Sequence, residues 1–116
     1  MNNDTIPFED SIFVNQEARY ILSLLNDDIK SSSWLLTNGI HKIGRFANKE
    51  IILDDVTVSR NHGYISVDDE EILIVDEGST NGIFVNGELK SASNLQSGFR
   101  IQIGKFNLII TKVEKK

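Results

Sequence analysis

The sequence predicts an all-β sandwich of about ten to eleven short strands. Two observations carry this. Apolar runs rich in Ile, Leu and Val are short, and several alternate with polar residues at period two. Turn signals such as Asn38-Gly39, Asn86-Gly87 and the acidic run Asp68-Asp69-Glu70-Glu71 separate them every few residues. At 116 residues and 40% hydrophobic, the chain fits one domain with a modest core.

Residues 1–17 read as a flexible tail ahead of a domain at 18–116. The tail has no sustained period, and Pro7 opposes regular structure around Ile6. It nonetheless carries Phe8, Ile12, Phe13 and Val14, more apolar character than a disordered segment usually has. That suits a segment that docks part of the time, and equally one that packs permanently or is inert.

Residues 19–25 carry Ile21, Leu22, Leu24 and Leu25, a spacing that fits a helix as well as a buried strand. Asn26-Asp27-Asp28 marks a turn, and 33–37 is strand-like, so the two segments are read as a hairpin. Trp34 is expected in the core, and His41 on the surface of a short strand at 40–43. Strands follow at 50–53, 64–67, 72–75, 83–85, 99–104 and 106–110, with a loop at 54–61. The acidic run is expected to be a solvated turn, since it lacks the spacing and central glycine of a calcium loop. Residues 89–98 are expected to form a long polar connection.

Several classes are disfavoured. The net charge of −5 argues against a general nucleic-acid binder, which needs clustered Lys and Arg. With no cysteine there is no disulfide, thiolate metal site or redox pair. No apolar run nears the ~18 residues of a membrane span, and the acidic start has no signal-peptide core. A cytoplasmic setting, without membrane contact, metal or cofactor, is expected. No phosphate-cradling Gly-x-x-x-x-Gly-Lys run supports nucleotide hydrolysis. Ser59, His62 and Asp76 could be imagined as a hydrolase triad. Ser59 and His62 are only three residues apart, however, and no Gly-x-Ser-x-Gly elbow surrounds the serine.

The chemistry concentrates in three loops: Gly44-Arg45, Ser59-Arg60-Asn61-His62 beginning fourteen residues after Arg45, and Ser79-Thr80-Asn81-Gly82. A phosphate monoester presents nearly two negative charges and three acceptor oxygens. Arg45 can offer a planar fork of donors, Ser59 a hydroxyl and Arg60 a second cation. Asn81 has donors and an acceptor suited to gripping a peptide backbone. Gly44 and Gly82 suit tight turns or close approach.

This ordered set resembles the forkhead-associated (FHA) domain, and the resemblance extends over about residues 19–112, including Leu95, Gly98 and Ile101 to Gly104. It implies a β-sandwich that binds phosphothreonine peptides through Arg45, Ser59, Arg60, Thr80 and Asn81, without catalysis. Gly44, His62 and Gly82 would then be structural, with His62 tying the Ser59 loop to the scaffold. The strings at 52–60 and 103–106 are similar to a narrower group, the actinobacterial glycogen accumulation regulators or oxoglutarate dehydrogenase inhibitors. That resemblance implies a regulator of metabolic enzymes, including 2-oxoglutarate dehydrogenase and enzymes of glutamate metabolism. It also implies a tail threonine modified by Ser/Thr protein kinases, whose phosphorylated form folds back into the protein's own FHA site and switches it off. Thr5, after Asp4 and three residues before Phe8, fits the tail layout. The tail departs from the family in having one threonine rather than a pair, in Pro7, and in being shorter. A generic FHA adaptor recruiting phosphorylated kinases or other partners, with an inert tail, is the alternative.

Overall fold

The computed structural model describes residues 17–25 and 32–114. The tail reading with Thr5, the turn at 26–28 and the last two residues lie outside the described residues. Within them the chain forms eleven strands: β1 (Tyr20–Leu25), β2 (Ser33–Leu36), β3 (Gly39–Gly44), β4 (Ile51–Ile52), β5 (Gly63–Asp68), β6 (Glu71–Asp76), β7 (Ile83–Val85), β8 (Glu88–Lys90), β9 (Ala92–Asn94), β10 (Arg100–Ile103) and β11 (Phe106–Lys112). They build a six-stranded sheet, β2-β1-β11-β10-β7-β8, and a five-stranded sheet, β4-β3-β5-β6-β9.

Period-two alternation makes the core between the sheets. Ile43, Ile65, Val67, Ile72 and Ile74 of one sheet face Leu22, Ile83, Ile101, Ile103, Leu108 and Ile110 of the other, all buried. A buried Leu or Ile contributes ~1.5–3 kcal/mol, so these rows hold the sandwich closed. The ambiguous segment 19–25 is a strand because β11 flanks it on one side (Tyr20↔Lys112 through Leu25↔Asn107) and β2 on the other. Such distant pairing leaves no trace in a local period.

Three expectations need correction. Residues 89–98 are not an unstructured connection: β8 pairs with β7, and β9 pairs with β6. Both are edge strands, largely exposed, so no apolar face marks them. His41 is buried, not on the surface, being in phase with Ile43 on β3. Its Nε2 pairs with the Thr37 carbonyl at 2.7 Å, and its Nδ1 lies 3.3 Å from Glu50. Trp34 packs against the core only in part, from an edge strand.

The strand directions sort the connections into two poles. The β3–β4, β4–β5 and β6–β7 loops and the β10–β11 turn gather at one end. The β2–β3 and β5–β6 connections gather at the other, with the start of β1.

Candidate functional site

The site is built where backbone crosses backbone. A Cβ at Gly44 would sit 2.1 Å from the Arg60 carbonyl oxygen, so only glycine permits the two loops to touch. The contact is zipped by main-chain bonds: Arg45 N to Ser59 O (3.1 Å), His62 N to Ile43 O (3.0 Å) and Leu53 N to Gly44 O (2.9 Å). Arg45 and Ser59 are therefore set at a fixed separation before any ligand is considered.

His62 then joins the second loop to the third. Its side chain is fully buried. The Ser59 backbone N–H donates to Nδ1 at 3.1 Å, which makes Nδ1 the bare nitrogen. Nε2 consequently carries the hydrogen and donates to the Gly82 carbonyl at 2.8 Å. Gly82 has φ +81°, and a Cβ there would meet Leu89 at 2.5 Å. The third loop has its own brace. Asp76 accepts from the backbone N–H groups of Gly78 and Ser79 at 3.2 Å and from the Ser79 hydroxyl. The Ser79 oxygen accepts in turn from Gly82 N at 2.9 Å.

The predicted ligand-facing residues converge on this frame. The Ser59 hydroxyl oxygen accepts from Thr80 N at 3.0 Å. Asn81 Nδ2 donates to Thr57 O at 2.9 Å, fixing the amide at the mouth of the site. Arg45 is half-buried, and its Nε donates to Val58 O at 3.0 Å, leaving the terminal nitrogens of the fork available. Arg60, Thr80 and Asn81 are exposed. All five, with Gly44, His62 and Gly82, lie at one pole. Thr5 lies outside the described residues.

Some positioning residues are missing from the reading of the sequence. Thr57 donates its hydroxyl to Asp55 at 2.6 Å and accepts from Lys105 N at 2.9 Å, clamping the β10–β11 turn under the loop that orients Asn81. The Thr57 hydroxyl, then its backbone N–H, and lastly the Lys105 ammonium 3.2 Å away lower the Asp55 carboxyl from 3.8 to about 2. Asp55-x-Thr57 is an Asx-turn pattern and was available as a signal. Phe46, whose ring lies against both arginines (5.8 Å to Arg45 and 5.7 Å to Arg60), had none beyond its place after Arg45.

The triad geometry does not form. Both His62 nitrogens are engaged by the backbone, its contact with Asp76 is 4.0 Å, and the Ser59 hydroxyl pairs with Thr80 N instead. Among the described residues no group of three His, Cys, Asp or Glu could hold a metal ion. No helix among them is long and apolar enough to cross a membrane.

Two sheets of this topology, with Gly-Arg, Ser-Arg-x-His and Thr-Asn-Gly on three adjoining loops, define an FHA domain, and a family model of that description matches residues 41–104. The chain belongs to the FHA domain family. Among curated relatives it is 45% identical over 76 residues to the oxoglutarate dehydrogenase inhibitor of Corynebacterium glutamicum, covering 66% of this chain and 53% of that one. It is 44% identical over 78 residues to the glycogen accumulation regulator GarA of Mycobacterium tuberculosis, covering 67% and 48%. The chain thus spans about half the length of the curated relatives it matches. Among solved structures, one from a study of phosphothreonine-dependent FHA domain interactions has a TM-score of 0.77 at 31% identity, covering 84% of this chain and 99% of that one. The FhaA FHA domain, solved in complex with the intracellular domain of a second protein, has a TM-score of 0.73 at 33% identity, covering 78% and 98%.

Proposed function

We propose that this chain is a non-catalytic, cytoplasmic reader of phosphothreonine that regulates central metabolic enzymes, 2-oxoglutarate dehydrogenase and glutamate-metabolising enzymes among them. Its own phosphorylated tail (1–17, ahead of the FHA domain at 18–116) competes for the site. The observation that supports it is the convergence of Arg45, Ser59, Arg60, Thr80 and Asn81 on three loops cross-tied by His62. Charge-assisted hydrogen bonds to phosphate are worth ~1.5–3 kcal/mol each. Two cations and a hydroxyl around one dianion supply several of them. Asn81 grips the peptide backbone beside the phosphoresidue. The names of the curated relatives support metabolic enzymes as the class of target.

In this reading a Ser/Thr protein kinase modifies Thr5. The tail joins the domain beside the acidic turn, where Arg19 lies 3.5 Å from Asp69. The phosphate loops are at the opposite pole, about 20 Å away by the length of β5. Fourteen residues separate Thr5 from Arg19. Such a segment has an r.m.s. span of about 20 Å and reaches ~45 Å extended. Tethering gives an effective concentration of roughly millimolar order, so weak intrinsic affinity closes the switch.

The test is phosphorylation of Thr5 followed by NMR and a competition assay. The signals of residues 45, 59–60 and 80–82 are expected to shift, and binding of an outside phosphopeptide to be lost. Unshifted loops with unimpaired outside binding favour the second reading, an adaptor with an inert tail. The FhaA complex, in which a similar domain holds a separate protein, lends that reading its support.

A further inference from the structure

We propose that Phe46 is the positioning residue of the anion site, a single ring that holds both Arg45 and Arg60 at the site before the anion arrives. The inference rests on the phosphate-binding reading above and names what organises it.

The guanidinium carbons of Arg45 and Arg60 lie 5.8 and 5.7 Å from the centroid of the same ring. Both fall inside the ~6 Å range in which the negative face of an aromatic ring attracts a cation. Two like charges gathered at one site repel one another, and in the free protein no phosphate offsets that repulsion. The ring quadrupole supplies an attraction to each guanidinium without using any of its hydrogen-bond donors. The two arginines depend on it unequally. Arg45 is also anchored through its Nε to the Val58 carbonyl at 3.0 Å. Among the described residues the Arg60 guanidinium makes no hydrogen bond or ion pair, so the ring is its positioning contact.

The placement of Phe46 is itself built. The Gly44–Arg60 crossing brings the second loop against the first, and the Phe46 carbonyl accepts from Lys49 N at 3.2 Å to close the turn. The ring stands 46% exposed and outside the core cluster. Core packing therefore does not account for a large aromatic side chain at this position, whereas two adjacent cations do. A leucine here would keep apolar bulk but would offer no π face.

Calorimetric titration of one phosphothreonine peptide into wild type, Phe46→Leu, Phe46→Ala, Phe46→Tyr, Phe46→Trp and Arg45→Ala tests this. The Leu and Ala variants should bind about 5- to 30-fold more weakly, which is about 1–2 kcal/mol at 1.4 kcal/mol per tenfold. The Tyr and Trp variants should stay within about threefold of wild type. In the peptide-free protein, NMR should find ring-current-shifted Nε–H signals for both arginines, and these should move in Phe46→Leu. Wild-type affinity in Phe46→Leu overturns the proposal, as do Tyr and Trp variants as weak as Leu. If Arg45→Ala loses binding while Phe46→Leu keeps it, Phe46 fails and the phosphate reading stands. If wild type binds no phosphopeptide, the phosphate reading fails. The ring-current shifts then decide the placement of Phe46 by themselves, and their absence overturns it.

Discussion

The two poles of the sandwich are made from similar materials and put to opposite uses. Both are exposed, turn-rich and crowded with charged and amide side chains. At the acidic pole most of those side chains pair with one another, although Arg19 Nε is buried without a hydrogen-bond partner. Asn38 donates to the Asp69 carboxylate at 3.1 Å and accepts from Asp69 N at 2.7 Å. Arg19 reaches Asp69 at 3.5 Å, Lys112 reaches Glu70 at 3.5 Å, and the Tyr20 hydroxyl donates to Glu70 O at 2.8 Å. The turn is solvated as expected, with Asp69 and Glu70 72% and 80% exposed, and these contacts make it a strap between the sheets as well. At the loop pole the ties are made by backbone, by buried His62 and by Ser79, while Arg60, Thr80 and Asn81 stand in solvent. Polar groups that pair internally act as cement, and polar groups held in place but left facing outward are available to a ligand.

Substitutions can break this contrast. The largest expected effect is on binding. Arg45→Ala should weaken a phosphothreonine peptide by at least about 100-fold, because two charge-assisted bonds disappear. Its cost to folding, by urea denaturation, should stay below about 1.5 kcal/mol, since one hydrogen bond to Val58 is lost. His62→Ala comes next and should damage both properties. It leaves the Ser59 N–H and the Gly82 carbonyl without their partner, at about 3 kcal/mol of stability. It should also weaken the peptide about tenfold as the two loops part.

A substitution at the other pole should separate the properties in the opposite sense. Asn38→Ala removes two hydrogen bonds to Asp69 in an exposed setting. It should cost about 1 kcal/mol by urea denaturation, with phosphopeptide affinity unchanged by calorimetry. A change in affinity there would mean that the poles communicate.

The smallest effect is acid sensitivity. Asp55 is held near 2 against an ordinary 3.8, chiefly by the Thr57 hydroxyl. A depressed carboxyl contributes stability that is complete above about pH 3.8 and is lost as the pH falls through about 2. Carboxyl-carbon NMR should find the Asp55 midpoint near 2, and Thr57→Ala should return it toward 3.8.

The legible part of the fold was the part with an apolar face. β5 and β10 alternate apolar and polar residues and β6 is a short apolar run, so their existence can be read directly, whereas β3 carries His41, not an apolar residue, in phase with Ile43 on its buried face. β8 and β9 have no apolar face because each closes a sheet edge, so composition made them look like loop. The locations of Arg45, Ser59, Arg60, Thr80 and Asn81 were legible because loop chemistry sits in contiguous strings. What orders those loops was only partly legible. His62 could be assigned to the scaffold through resemblance. Thr57, Asp55 and Phe46 act through contacts such as Thr57 with Lys105, which are distant in sequence.

The central claim is that the pole with outward-facing donors is the receptor and the internally paired pole is not. Titrating an isotope-labelled sample with a phosphothreonine peptide, followed by amide NMR, tests it directly. The account predicts saturable shifts at residues 45, 59–60 and 80–82, none at 38 and 69–70, and no response to the same peptide without phosphate. Shifts centred on the acidic turn, or equal responses to both peptides, would contradict it.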